Sequence, residues 1–127
     1  MFTELMDIIA CKNAITPVES TTTATITGNE IDRLGYETGV AYILTSAAAN
    51  VGTATYTVYE CDTSGGSFSA TSTAGTISLV TTTATATEVR LDLRGLKRYI
   101  KLVVNPPGAT VTVAGAVVLG GAPSYPV

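Results

Sequence analysis

Polar and apolar residues alternate along much of the chain, with the period of two that is typical of β-strands. Threonine and valine are abundant, and β-branched side chains of this kind suit a pleated sheet. In several segments one face of the alternation is consistently apolar. The residues predicted to face the core in these segments are Ala54, Tyr56, Val58, Val89, Leu91, Leu93, Ile100, Leu102, Val104, Val111 and Val113.

Turn-forming residues separate the alternating segments. We therefore predict eight strands, near residues 6–11, 22–31, 39–46, 53–61, 75–80, 83–92, 97–104 and 109–119. Short strands at this spacing predict an all-β fold, a single antiparallel β-sandwich of about eight strands with jelly-roll or immunoglobulin-like topology. Residues 62–75 are small and polar, and this composition predicts a long surface loop.

The length of 127 residues suits one domain spanning residues 1–127. Extended arms are expected at 1–20 and 120–127, because the glycines and prolines of the last segment do not suit a central strand. Glu4 and Asp7 lie where a signal peptide would be apolar, so none is expected. The apolar runs are far shorter than the about 20 residues of a membrane helix, which predicts a soluble, intracellular protein at synthesis.

Charge is sparse along the chain. Charged residues make up 13% of the sequence, against about 25% in an average domain. A surface with so few charges is poorly protected against association, which indicates an oligomer or a chain that lies on a partner. The net charge of −3 argues against a general nucleic-acid binder.

The sequence contains no histidine, which removes the commonest general base and the usual triads of hydrolases. The two cysteines, Cys11 and Cys61, are expected to be buried and reduced, and a bridge between them is the alternative.

Two carboxylate pairs, Glu30 with Asp32 and Glu60 with Asp62, have the i, i+2 spacing of one strand face. We interpret them as solvated strand ends, since a glycosidase pair would need a cleft lined by aromatic side chains. No catalytic, cofactor or metal residue is therefore predicted, and the protein is expected not to be an enzyme.

Most of the positive charge lies in one short segment, residues 90–101. Its basic residues are Arg90, Arg94, Lys97, Arg98 and Lys101. Residues 94–97 are predicted to form a hairpin turn. Either the segment is a charged outer face in which Asp92 pairs with an arginine across the hairpin, or it meets an acidic protein surface. Nucleic acid is the least favoured partner, because so small a patch neutralises few phosphates.

Two stretches carry a family resemblance. Residues 89–127 contain LRGLKRYIKL and end in VVLGGAPSYPV, and residues 29–45 read NEIDRLGYETGVAYILT. This pattern resembles small structural proteins of tailed bacteriophages, in particular capsid cement, or decoration, proteins. None of these stretches is a catalytic motif.

The resemblance implies a β-rich, most often trimeric virion protein made in the host bacterial cytoplasm. It would lie on the outer surface of the capsid and stabilise the shell by bridging subunits of the major capsid protein. Neither a cofactor nor binding to nucleic acid or a membrane is expected. The residues we expect to contact the capsid or a subunit are Arg90, Arg94, Lys97, Arg98, Lys101 and Tyr125.

Two other classes of protein stay open at this point. A head fibre base or head–tail joining protein would appear at few copies per particle. A carbohydrate-binding β-sandwich module would normally show a row of exposed aromatic side chains, whereas the six tyrosines are scattered along the chain.

Overall fold

A computed structural model describes residues 8–46, 52–79, 87–108 and 110–121 of the chain. Within these ranges no helix is long and apolar enough to cross a bilayer. The strands of the described residues are β1 (Ile9–Ser20), β2 (Ile26–Thr27), β3 (Ile31–Asp32), β4 (Thr38–Thr45), β5 (Gly52–Cys61), β6 (Ser69–Leu79), β7 (Thr87–Asp92), β8 (Tyr99–Asn105) and β9 (Val111–Gly120).

The strands form two antiparallel sheets. The first sheet has the order β1-β9-β4-β7, and the second has the order β2-β8-β5-β6, with β3 also paired to β8. The two sheets pack as a sandwich, so the predicted all-β sandwich is confirmed. All the residues predicted to face the core are buried in it, apart from Val89, which is partly buried against it.

The predicted hairpin at residues 94–97 is wrong. β7 pairs with β4 in the first sheet, whereas β8 pairs with β5 in the second sheet. Residues 93–98 therefore cross from one sheet to the other. Alternation of polar and apolar residues shows which face of a strand is buried, but it does not show which strand is its neighbour.

The predicted loop at 62–75 is too long, because β6 already begins at Ser69 and pairs with β5. Small and polar residues suit this strand because it lies at the edge of its sheet and contributes little to the core beyond Ile77. The predicted strand at 22–31 is reduced to the two-residue strands β2 and β3, which are interrupted near Gly28.

Part of the first predicted arm belongs to the sheet. Residues 9–20 form β1, which pairs with β9 from Ile9 opposite Gly120 to Ser20 opposite Val111. Ile8 directly precedes β1. In the second predicted arm, Gly120 ends β9 and Gly121 follows it. The other residues of the two predicted arms, 1–7 and 122–127, lie outside the described residues.

The cysteines are not bonded to each other. Cys61 is buried at the end of β5 in the second sheet, as expected. Cys11 is exposed on β1 in the first sheet, so the expectation that both thiols are buried is wrong.

Candidate functional site

Three loops meet at one end of the sandwich, which we call the loop end. They are residues 33–37 between β3 and β4, 62–68 between β5 and β6, and 93–98 between β7 and β8. The strand pairings bring them together, because Tyr99 is opposite both Asp32 and Cys61. The basic segment that the sequence singled out runs through this end.

Arg33 fastens two of these loops to each other. Its side chain is only 6% exposed and donates hydrogen bonds to the backbone oxygens of Leu96, Lys97 and Glu37. Its backbone N–H donates to the oxygen of Arg98 over 2.8 Å. Burial lowers the pKa of Arg33, and the Glu60 carboxylate partly offsets this shift.

The role of Arg33 was not predicted from the sequence. The available signal was that Arg33 is one of two basic residues outside the 90–101 segment and directly follows the carboxylate Asp32. This position in the sequence does not reveal which backbone oxygens Arg33 binds, because two of them lie more than sixty residues further along the chain.

Three of the predicted contact residues face carboxylates of their own chain. Asp92, the last residue of β7, pairs with the nearby Arg94 and not across a hairpin, which corrects that prediction. Because both partners of each pair are largely exposed, water and salt screen the attraction. The pairs are Arg94 Nη2 with Asp92 Oδ2 (2.7 Å), Lys97 Nζ with Asp62 Oδ2 (3.5 Å) and Arg98 Nη2 with Asp32 Oδ2 (2.9 Å).

Two further carboxylates hold the loops in place. Glu30 accepts hydrogen bonds from Ser64 Oγ over 2.6 Å and from the Gly65 N–H over 2.9 Å. Glu60 accepts one from the Lys97 N–H over 2.8 Å. The i, i+2 carboxylates of the sequence therefore lie at strand ends and fasten the loop end, where they neutralise much of its positive charge.

The loop-end carboxylates predict a dependence of stability on pH. The pKa of Glu30 is lowered chiefly by the Ser64 hydroxyl, and that of Asp32 chiefly by the Arg98 guanidinium. The pKa of Asp92 is lowered in the same way by Arg94. A carboxyl group whose folded pKa is depressed stabilises the fold above its ordinary pKa, and this stabilisation is lost as the pH falls through the lowered value.

We therefore expect the free energy of unfolding to decrease as the pH falls below 4.5, the ordinary pKa of the Glu30 carboxyl. Urea unfolding followed by circular dichroism at a series of pH values measures this. The variant Asp32→Asn should be less stable at neutral pH and show a shallower decrease in acid. A stability that is flat from about pH 5 to pH 3 would contradict this expectation.

The remaining basic residues lie on the two outer faces. The Arg90 guanidinium carbon is 5.6 Å from the centre of the Tyr42 ring on the first sheet. Lys101 Nζ is 4.1 Å from the centre of the Phe68 ring beside the second sheet. Tyr125 lies outside the described residues. The segment that is continuous in sequence is thus divided among three surfaces.

The outer face of the first sheet is apolar, and we call it the apolar face. Strands β4 and β9 are neighbours there, with Tyr42 opposite Ala116 and Leu44 opposite Ala114. Leu44 is 42% exposed. These side chains line a groove of about 440 Å³, whose border includes Glu88. The residues that form the apolar face are Val40, Tyr42, Leu44, Ala114, Ala116 and Val118.

The outer face of the second sheet differs in character. Along β5 its outward residues are threonines and a tyrosine, namely Thr53, Thr55, Thr57 and Tyr59. One side of the sandwich is therefore polar and the other apolar, and an exposed apolar patch of this kind is typical of a surface that another protein covers.

No family model and no curated protein matches the chain, whereas solved structures share its fold. A chain in the structure of infectious bursal disease virus Gx strain superposes over 93% of this chain with a TM-score of 0.59 and 15% identity. The present chain spans only 33% of that longer chain.

The SPBc2 prophage-derived protein YomS superposes with a TM-score of 0.51 and 18% identity. The match covers 87% of this chain and 92% of YomS. The β-sandwich is thus a fold that also occurs in a virus structure and in a prophage-derived protein.

Proposed function

We propose that the protein is a structural component of a virion that binds the outside of a phage capsid. There it would stabilise the shell by bridging subunits of the major capsid protein. Two findings support this proposal. Residues 29–45 and 89–127 resemble capsid cement proteins, and the sandwich fold also occurs in a virus structure and in a prophage-derived protein.

The observation that carries the proposal is the apolar face. Protein interfaces have an apolar centre and a charged border, and their strongest contributions often come from tyrosine and arginine. The apolar face has this composition, since Leu44 and Tyr42 lie toward its centre and Glu88 and Arg90 border it on β7. We propose that this surface meets the capsid.

Among the predicted contact residues, Arg90 suits this role best. In the described part of the chain Arg90 forms no ion pair, whereas Arg94, Lys97 and Arg98 already face carboxylates. We propose that the loop end supplies a weaker second contact, in which Leu34, 66% exposed, lies beside Arg98. Charge reversal at the three loop-end cations should then weaken binding less than a change on the apolar face.

Several modest contacts would be enough for stable attachment. Once one surface has bound, the others bind intramolecularly, so their combined affinity exceeds that of each contact alone. A protein that binds only the assembled shell stabilises it by mass action, because disassembly then requires the bound copies to dissociate.

The test is co-sedimentation of the purified protein with capsids of its source phage. The variants Leu44→Glu and Arg90→Glu should each bind the capsid at least about tenfold more weakly, because they place a carboxylate in or beside a desolvated contact. The matched control is Thr53→Glu, which puts the same charge on the exposed outer face of the second sheet and should bind like the unmodified protein.

Thermal unfolding of each variant checks that the sandwich is intact. Unchanged occupancy by both apolar-face variants would remove this face from the interface. Failure of the unmodified protein to sediment with the capsids would contradict the capsid role itself.

A further inference from the structure

The strand at one edge of the second sheet differs from the strands at the other sheet edges. An edge strand presents unpaired backbone N–H and C=O groups, and proteins normally protect such strands with charges, prolines, bulges or short length. In the described part of the chain the edges are β1 and β7 in the first sheet, and β6 and the β2–β3 pair in the second.

Three of these edges carry such protection. β1 has two irregularities in its pairing with β9, and it contains Pro17 together with the exposed Lys12 and Glu19. β7 is short, and its outward residues are all charged. The edge made by β2 and β3 consists of two segments of two residues each.

β6 is the least protected of the four. It is 11 residues long, and its sequence SATSTAGTISL contains neither a charge nor a proline. Its pairing with β5 has one irregularity, between Ala70 and Ala74, and is regular from Ala74 to Leu79. In this segment Ala74, Thr76 and Ser78 are exposed, while Ile77 is buried in the core. The result is a long, neutral strand whose outer edge is open within the described residues.

We propose that β6 pairs with β6 of a second copy of this chain, antiparallel around a two-fold axis near Thr76. The two second sheets would then form one continuous sheet. A head-to-tail arrangement would need a second open edge, and the other edges are protected. Two-fold pairing around Thr76 places Thr76 opposite its own copy, so a charged residue at this position would repel itself, whereas threonine pairs favourably with threonine across strands.

The geometry of this dimer agrees with the proposed function, although the pairing itself does not depend on it. The two-fold axis of an antiparallel strand pair is perpendicular to the sheet. Both first sheets therefore lie on the same side of the continuous sheet, and both apolar faces point in the same direction. If the apolar face binds the capsid, one dimer can attach at two points.

Sedimentation equilibrium of the full chain tests the pairing. The unmodified protein should be a dimer, and Thr76→Lys should raise its dissociation constant at least tenfold, because it places two like charges across the axis. Thr53→Lys is the matched control, since Thr53 is also exposed on the outer face but lies one strand further in, opposite Ser78. This control should remain a dimer.

A charge-swap experiment adds a second readout. Thr76→Glu alone should also raise the dissociation constant at least tenfold, whereas an equimolar mixture of Thr76→Lys and Thr76→Glu should form heterodimers. Circular dichroism checks that each variant keeps the sheet content of the parent. A monomeric or trimeric unmodified protein, a dimer unaffected by Thr76→Lys, or a mixture that stays monomeric would each overturn the proposal. Capsid binding is scored separately, so either proposal can fail alone.

Discussion

Replacing Gly28 with alanine is expected to lower the free energy of unfolding by about 3 kcal/mol, the upper part of the range for overpacking a core. A Cβ atom at this position would lie 2.4 Å from the backbone oxygen of Ala14 and 2.8 Å from that of Leu102. Real Cβ contacts are not this short, and neither backbone oxygen can rotate away as a side chain could.

The clash arises because residues 28 and 29 connect the two sheets. The Gly28 N–H donates to Leu102 on β8, and the Asn29 N–H donates to Ala14 on β1, both over 2.7 Å. The chain passes between the two strands at this point, and any movement that relieves the clash weakens both hydrogen bonds. Only glycine allows the backbones to approach this closely.

Urea unfolding measures the effect, and Gly120→Ala provides the control. A Cβ at Gly120 would meet its nearest neighbour, Thr38 Oγ1, at an ordinary 3.7 Å. This variant should change stability by less than about 0.5 kcal/mol. Equal stability of the Gly28 and Gly120 variants would show that the two sheets do not approach each other closely at residue 28.

Replacing Arg33 with methionine is expected to lower the free energy of unfolding by about 2–3 kcal/mol. Methionine keeps much of the apolar stem but leaves the backbone oxygens of Leu96, Lys97 and Glu37 without their donor. The expected loss of stability is moderate because Arg33 Nε has no acceptor among the described residues. Burying this unpaired donor costs free energy, which offsets part of the stabilisation that the other hydrogen bonds of Arg33 provide.

The loss should be concentrated at the loop end. Hydrogen exchange of the amides in residues 93–98 should accelerate in Arg33→Met more than exchange in β4 or β5. The control Arg90→Met removes an arginine from the outer face of β7 and should leave both stability and loop exchange nearly unchanged. If the two arginine variants unfold at the same urea concentration, Arg33 does not fasten the loops.

The alternation of apolar residues was sufficient to predict the fold class and the core. Tyr56 and Ile100 are fully buried, as their positions in the pattern predicted. Strand neighbours could not be predicted in this way, because strands from either sheet show the same alternation. The β7–β8 connection was therefore taken for a hairpin, although the two strands lie in different sheets.

Strand β6 was partly assigned to a loop for a related reason. Its core contribution rests largely on Ile77, and serine, threonine and glycine in the rest of the strand are also typical of loops. Hydrogen bonding to the preceding strand β5 determines its conformation, and this pairing is not encoded in local periodicity.

The candidate site was only partly accessible from sequence. The pattern located the basic segment, but the carboxylates that face Lys97 and Arg98 come from Asp62 and Asp32, more than thirty residues away. The apolar face was indicated only by the low fraction of charged residues. Its position depends on the pairing of β4 with β9, which brings the apolar residues of these two strands together on one face.

Electron cryomicroscopy of the source phage, with and without this protein, tests the central proposal most directly. We expect the difference map to show β-sandwich density repeated over the outside of the shell, with the apolar face toward the major capsid protein. Density confined to a single vertex or to the tail junction, or no difference on the shell, would contradict the proposal that the protein bridges capsid subunits from outside.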